Sequence, residues 1–442
     1  MTLYPSPYQE EIDFSKLALQ DADFAKVLKS NGQLDFSNPE AVQQLTKSLL
    51  KRDFGLETSL PSDRLCPPVP NRLNYILWVQ ALLDCTSDTY TDTYDPEREV
   101  LGIDVGTGAS CIYPLLGCAQ RPNWRFAGTG NSKSILWSRW LLTREDIDDK
   151  SLKYAQENIQ LNNLDGRVKL LKTQASGHLL PLDRLGFENI DFTMCNPPFY
   201  ESNAEMLALA ESKQRPPNSA CTGSANEMVT PGGEIAFITR MISESLLLRD
   251  RVQWYTSMCG RFSSIAALIG VLRKHEIDNY AITELVQGSK TRRWVIAWSF
   301  DDLRPTASVA RGLHSLPKNL LPVMPEYIIT QPPGTAILTI TENLNSVLSN
   351  LSLKWMWRKS ISTGLGFTEK NVWSRASRRQ ATNEDPTTTE MKDDEADMAL
   401  GFKINVLTET DSTVKITVRW LKGHDSVLFE SFCGMIKRKL VS

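Results

Sequence analysis

The stretch MCNPPFY at residues 194–200 constrains this chain more than any other. It follows Asn189-Ile190-Asp191-Phe192-Thr193, which leads into a strand. Proline has no N–H and a φ fixed at about −65°, and the residue before it is pushed out of the helical region. Asn196-Pro197-Pro198 is therefore extended and stiff, and neither a helix nor a central strand can continue through it. What remains is a rigid rim with free carbonyl oxygens, one carboxamide and an aromatic face. Such a rim suits a planar amine, offering acceptors for its two hydrogens and a ring to lie on. An ordinary Asn-Pro turn would use the same residues, so the surrounding sequence has to decide.

The run VLGIDVGTGASCIYPLL at 100–116 has the form strand, glycine turn, helix. Gly106 and Gly108 permit positive φ and close approach of a ligand to the amides that open the helix. Cys111 stands where a dinucleotide fingerprint would place its third glycine, which counts against NAD or FAD. From Glu99 to about Phe300, β-rich runs (Val100–Asp104, Val168–Lys172, Asp191–Met194, Gly233–Ile238, Trp294–Phe300) alternate with helical ones (Leu152–Leu161, Arg240–Ser257). That alternation predicts an α/β domain with a mostly parallel sheet. The glycine turn and the Asn-Pro-Pro-aromatic rim then both lie at carboxyl ends of strands, where such sheets bind ligands. Together they describe an S-adenosylmethionine-dependent methyltransferase acting on a planar amine. Asp104, Gly106 and Gly108 are its cofactor-side candidates, and Asn196, Pro197, Pro198 and Phe199 its catalytic rim.

The net charge of −3 argues against a uniformly basic nucleic-acid coat and leaves room for a local patch. Such a patch lies between Lys354 and Arg379, where seven Lys or Arg face the single Glu369 and are interleaved with Trp355, Trp357 and Trp373. The eight cysteines (66, 85, 111, 118, 195, 221, 259 and 433) lack zinc-site or disulfide-framework spacing, and the four histidines are scattered, so no metal is assigned. No signal core and no long apolar run is present, which predicts a reduced, intracellular chain without a membrane segment. The expected organisation is an amino-terminal helical cap (1–95), a Rossmann-like domain (96–302), a Pro-, Leu- and Ser-rich linker (303–334) and a small α+β module (335–442). An acidic loop, 381–397, interrupts that module.

RLNYILW (72–78), GIDVGTGASCIYPLLG (102–117), MCNPPF (194–199) and QGSKTRRWVIAWSF (287–300) resemble the methyltransferase-like protein 16 family. That family places N6-methyladenosine in U6 small nuclear RNA and is related to bacterial ribosomal RNA adenine methyltransferases. The match covers about residues 1–300. The resemblance implies cofactor contacts at Arg72, Gly106, Ser176, Asn196 and an acidic residue after the second strand, for which Asp146 is the candidate. It implies RNA contacts at Arg261, Lys290 and Arg293, with Lys354, Arg358 and Lys359 as further candidates in the module. It also implies a nuclear location, with the cytoplasm as a second. A protein glutamine methyltransferase and a catalytically silent RNA-binding protein are the alternatives. One stretch departs from the family: Gly130–Glu145, with SILWSRWLL at its centre, separates the second strand from the ribose-binding acid. It is expected not to belong to the functional enzyme.

Overall fold

The computed structural model describes residues 6–131, 147–174, 176–211, 223, 225–287, 291–334, 336–374, 398–409 and 413–441. Two compact units divide the chain: 1–83 with 94–301 and 311–321, and 84–93 with 302–310 and 322–442. The first is built on eight strands: β1 Val100–Val105, β2 Trp124–Asn131, β3 Val168–Thr173, β4 Ile190–Cys195, β5 Val252–Cys259, β6 Tyr280–Gln287, β7 Thr291–Trp298 and β8 Arg311–Gly312. Their order is β3-β2-β1-β4-β5-β7-β6-β8. Strands β1 to β5 pair in parallel, and β7 turns antiparallel against β5 and β6. This is a Rossmann-like sheet whose order reverses between β1 and β4, so a crevice opens at their carboxyl ends.

The central strands are apolar on both faces because helices cover both. Ile103, Phe192 and Trp254 are fully buried. Ile238, Met241 and Ile242, with Ile265, Leu268, Ile269 and Leu272, come from the helices Gly233–Leu248 and Phe262–Lys274 and share a core with Ile103. Two sequence-based assignments change here. Gly233–Ile238 begins a helix rather than a strand, because Gly232 and Gly233 both take positive φ and the apolar positions after them follow a helical period. The expected helix Arg240–Ser257 ends at Leu248, and from Val252 on its residues belong to the buried strand β5. Of the amino-terminal region, the helix Pro39–Phe54 is stopped at both ends by its own sequence. Asn38 accepts the Glu40 amide at the start, and Gly55 is left-handed at the end.

The second unit holds β9 Glu326–Gln331, β10 Lys354–Arg358, β11 Thr363–Thr368, β12 Leu400–Thr408 and β13 Val414–Lys422. They form an antiparallel sheet in the order β10-β11-β12-β13-β9. Leu344 and Leu348 from the helix Ile337–Ser349, and Phe432 and Ile436 from Ser426–Val441, pack in one core with Phe402, Ile404, Ile416 and Val418. The stretch 303–334, expected as a linker, contributes β8 to one sheet and β9 to the other; Ile329 and Gln331 are buried in the latter. The expected cap also divides, since 84–93 belongs to the second unit. Asp92 accepts from Lys403 Nζ at 2.7 Å and from Arg419, while Arg419 donates to the Cys85 carbonyl at 2.7 Å. Residues 381–397, Asp146 and Lys290 lie outside the described residues. Of the stretch Gly130–Glu145, Gly130 and Asn131 close β2 opposite Lys172 and Thr173, and 132–145 lie outside the described residues.

Candidate active site

Strand β4 delivers Asn196 to the crevice, and its end is pinned from the side. Thr256 Oγ1 donates to the Thr193 carbonyl at 2.7 Å and shares a 2.6 Å hydrogen bond with the Tyr75 hydroxyl. Beyond that anchor Pro197 is buried and Asn196 half-buried. The Asn196 Oδ1 is out of solvent with no hydrogen-bond partner among the described residues. A buried acceptor left unused costs about 1–3 kcal/mol, so this oxygen is an open position for a donor. Phe199 follows with its ring edge against Gly260, where a Cβ would come within 2.7 Å of Phe199 Cδ1. The Arg293 guanidinium lies 5.7 Å from the Phe199 ring centroid.

Next to β4, strand β1 ends in the glycine turn. Gly106 and Gly108 have φ of +76° and +63°; among the described residues a Cβ on Gly106 would meet nothing within 4 Å, and one on Gly108 would meet only Glu227 Oε1, at 3.8 Å. Asp104 is 1% exposed and neither carboxylate oxygen has a hydrogen-bond partner among the described residues. Burial pushes its carboxyl up to about 7, against the pull of the neighbouring Thr107 hydroxyl and the Arg72 guanidinium. Arg72, buried in the helix Val69–Cys85, donates to the Tyr113 hydroxyl at 2.6 Å, while its Nε has no acceptor among the described residues. A carboxylate, a guanidinium and a carboxamide thus hold unused hydrogen-bonding capacity at the ends of β1 and β4. An amino-acid head group, with one carboxylate and one ammonium, fits the first two. Cys195 is buried with its thiol pushed upward by desolvation, so it has no thiolate to offer as a nucleophile.

The structure brings Arg72, Asp104, Gly106 and Gly108 together, and Asn196 with Phe199. Ser176 lies exposed in the turn after β3, where Gly177 N donates to the Gln174 carbonyl at 2.9 Å. Arg261 is tied to Glu205 at 2.5 Å, so its charge is already matched. Arg293 is half-buried beside Phe199, and burial together with Arg72 lowers its pKa. In the second unit Lys354, Arg358 and Lys359 sit on the edge strand β10 and the turn after it, with Arg358 and Lys359 exposed. The tryptophans between the basic residues point the other way: Trp355 and Trp357 pack on the unit's core, Trp355 Nε1 donates to Asn345 at 2.9 Å, and Trp373 is buried. Sequence reading missed Tyr113, Thr256 and Gly260. Tyr113 lies 41 residues from Arg72, and no local pattern links them.

Among known proteins, the family described as RNA methyltransferase matches residues 4–302. A U6 small nuclear RNA (adenine-(43)-N(6))-methyltransferase of Schizosaccharomyces pombe is 35% identical over 411 residues, covering 93% of this chain and 96% of that protein. The RNA N(6)-adenosine-methyltransferase mettl16 of Danio rerio is 33% identical over 97% of this chain and 94% of its own length. Among solved structures, the human METTL16 catalytic domain in complex with a MAT2A 3'UTR hairpin superposes with a TM-score of 0.56 at 37% identity. It covers 67% of this chain and 95% of that one. The N-terminal domain of human METTL16 in complex with SAH gives a TM-score of 0.52 at 35% identity, covering 67% and 97%.

Proposed function

The chain belongs to the RNA methyltransferase family, and we infer that it transfers a methyl group from S-adenosylmethionine to the exocyclic N6 of adenosine in RNA. The observation that carries the site assignment is the set of orphaned polar atoms on Asp104, Arg72 and Asn196 beside a turn with no Cβ in the way. When bound, S-adenosylmethionine supplies a methyl group on a positively charged sulfur that leaves as a neutral thioether. Arg72 would hold the methionine carboxylate and Asp104 the ammonium, while Asp146 and Ser176 would serve the nucleoside end.

Asn196 Oδ1 accepts one amine hydrogen and the Pro197 carbonyl the other, which turns the nitrogen lone pair out of the base plane toward the methyl. Phe199, fixed by Pro198, stacks on the adenine, which must be unpaired or flipped from its helix to reach the rim. The amine needs no base before transfer; its extra proton leaves to water afterwards. Rate enhancement comes from positioning and amine polarisation. Arg293 beside the ring, with Lys290, steers the RNA backbone; Arg261 joins them by exchanging Glu205 for a phosphate, and Lys354, Arg358 and Lys359 add phosphate contacts from the second unit. U6 small nuclear RNA is the proposed substrate, and the nucleus the proposed location; among the described residues no helix is long and apolar enough to cross a membrane.

Incubating the purified chain with labelled S-adenosylmethionine and a U6 hairpin, followed by nucleoside analysis, tests the activity. Asn196→Ala should abolish N6-methyladenosine while leaving the thermal midpoint and cofactor binding near wild type. Near-wild-type turnover in that variant would remove Asn196 from the reaction.

A further inference from the structure

Glu234 is 3% exposed and does nothing in the chemistry above, yet its carboxylate is fully engaged. Oε2 accepts from the Gly260 amide at 2.6 Å; Oε1 accepts from the Arg261 amide at 3.1 Å and the Ser264 hydroxyl at 2.5 Å. Arg261 is the N-cap residue of the helix Phe262–Lys274 and, among the described residues, makes no side-chain capping bond of its own. Glu234 therefore caps that helix from another element, with its charge at the positive end of the helix dipole. The residue held by Oε2 is the one behind the base-stacking ring. A Cβ on Gly260 would stand 2.7 Å from Phe199 Cδ1 and 3.1 Å from Cε1, so backbone and ring edge are in direct contact. Gly233, adjacent in sequence to Glu234, approaches the same residue from its backbone side, where a Cβ would lie 3.4 Å from the Phe199 carbonyl oxygen.

We propose that Glu234 is a positioning residue for methyl transfer: by holding Gly260 against the Phe199 ring, it sets the plane in which the target adenine stacks. The inference rests on the assignment of Phe199 as the stacking ring. Glu234→Gln keeps the side chain's volume and one oxygen acceptor, but wherever the amide group points, one of the two amide donors or the serine loses its acceptor. Gly260→Ala reaches the same ring by a second route, since the added Cβ would press on Phe199 Cδ1 at 2.7 Å as well as on Glu234 Oε2 at 3.1 Å.

The test is a double-mutant cycle with Phe199→Ala in the full chain, reading kcat and KM on hairpin RNA, cofactor affinity, and quenching of 2-aminopurine at the target position. Glu234→Gln should lower kcat by about tenfold, the loss of roughly one charge-assisted hydrogen bond. KM for S-adenosylmethionine should stay within about twofold, and 2-aminopurine quenching should fall. In the Phe199→Ala background the same substitution should leave kcat unchanged. Gly260→Ala should reproduce this pattern, which keeps the question open to an answer if Glu234→Gln folds poorly. Equal losses of kcat in both backgrounds, or a lowered thermal midpoint with kcat and quenching intact, would overturn the inference. If Phe199→Ala itself left kcat and quenching unchanged, the stacking assignment would fall and the inference with it.

Discussion

Raising the pH should weaken the cofactor-free protein through a single residue, Asp104. Its carboxyl stands at about 7 against an ordinary value of 3.8, because burial disfavours the charge more than the Thr107 hydroxyl and the Arg72 guanidinium favour it. A group whose folded value lies above its unfolded one binds extra protons in the folded state between the two. Its stabilising contribution is therefore complete below about pH 4 and lost as pH climbs through 7. At about 1.4 kcal/mol per unit, a shift of roughly three units amounts to about 4 kcal/mol, most of it lost by pH 7. The assay is denaturant unfolding of the cofactor-free chain at pH 5, 6, 7 and 8, compared with Asp104→Asn, in which other titrating groups behave alike and cancel. The wild-type chain should lose about 1.4 kcal/mol per pH unit relative to the variant from 5 to 6, with the difference flat by pH 8. Binding of a ligand ammonium at Asp104 requires the ionised carboxylate, so S-adenosylmethionine affinity should fall by about tenfold per unit below pH 7 in the wild type only, with proton release on binding. Parallel stability curves for the two proteins would refute the burial argument, and with that argument standing, an affinity independent of pH from 5.5 to 7 would refute the placement of the ammonium.

Replacing the exposed pair Arg358 and Lys359 by alanine should weaken hairpin RNA binding and reduce the magnitude of the log–log salt slope by about 0.7–0.9 per lost phosphate contact; equal slopes would show a merely solvated edge. Deleting 132–145, which keeps β2 whole through Asn131, should leave S-adenosylmethionine affinity within about twofold and lower aggregation by removing SILWSRWLL. A tenfold loss of affinity, or the codons present in the dominant transcript together with such a loss, would make that stretch part of the enzyme.

The rim was readable because proline dictates its own backbone: Asn196-Pro197-Pro198 could only be extended, and the structure puts it at the end of β4 as that restriction requires. The glycine turn was readable for the same kind of reason, with Gly106 and Gly108 both at positive φ. Sequence failed where two periods compete. GEIAFITRM contains short β-like runs, but its apolar positions also fit a helical period, and the helix that begins at Gly233 is the one the fold takes. In KWMWR the tryptophans are two residues apart, which in a strand puts both on one face, and that face is the core. Arg72 with Tyr113 and Glu234 with Gly260 are joined only by tertiary packing, across 41 and 26 residues respectively, beyond the reach of any local pattern.

The segment 84–93 imposes an order in time. Asp92, at a left-handed φ of 63°, has its ionic partners 311 and 327 positions further along, at Lys403 and Arg419. A ribosome adding about 5–20 residues per second needs on the order of 15–60 s to reach them. Through that interval Asp92 waits unpaired while residues 94–301 leave the ribosome and can close their own sheet. The second sheet completes only when β13, near the chain's end, is available to pair with both β12 and β9. Synthesis halted shortly before Val414 would therefore release a chain whose catalytic strands have all been made and whose residues 84–93 still lack Arg419.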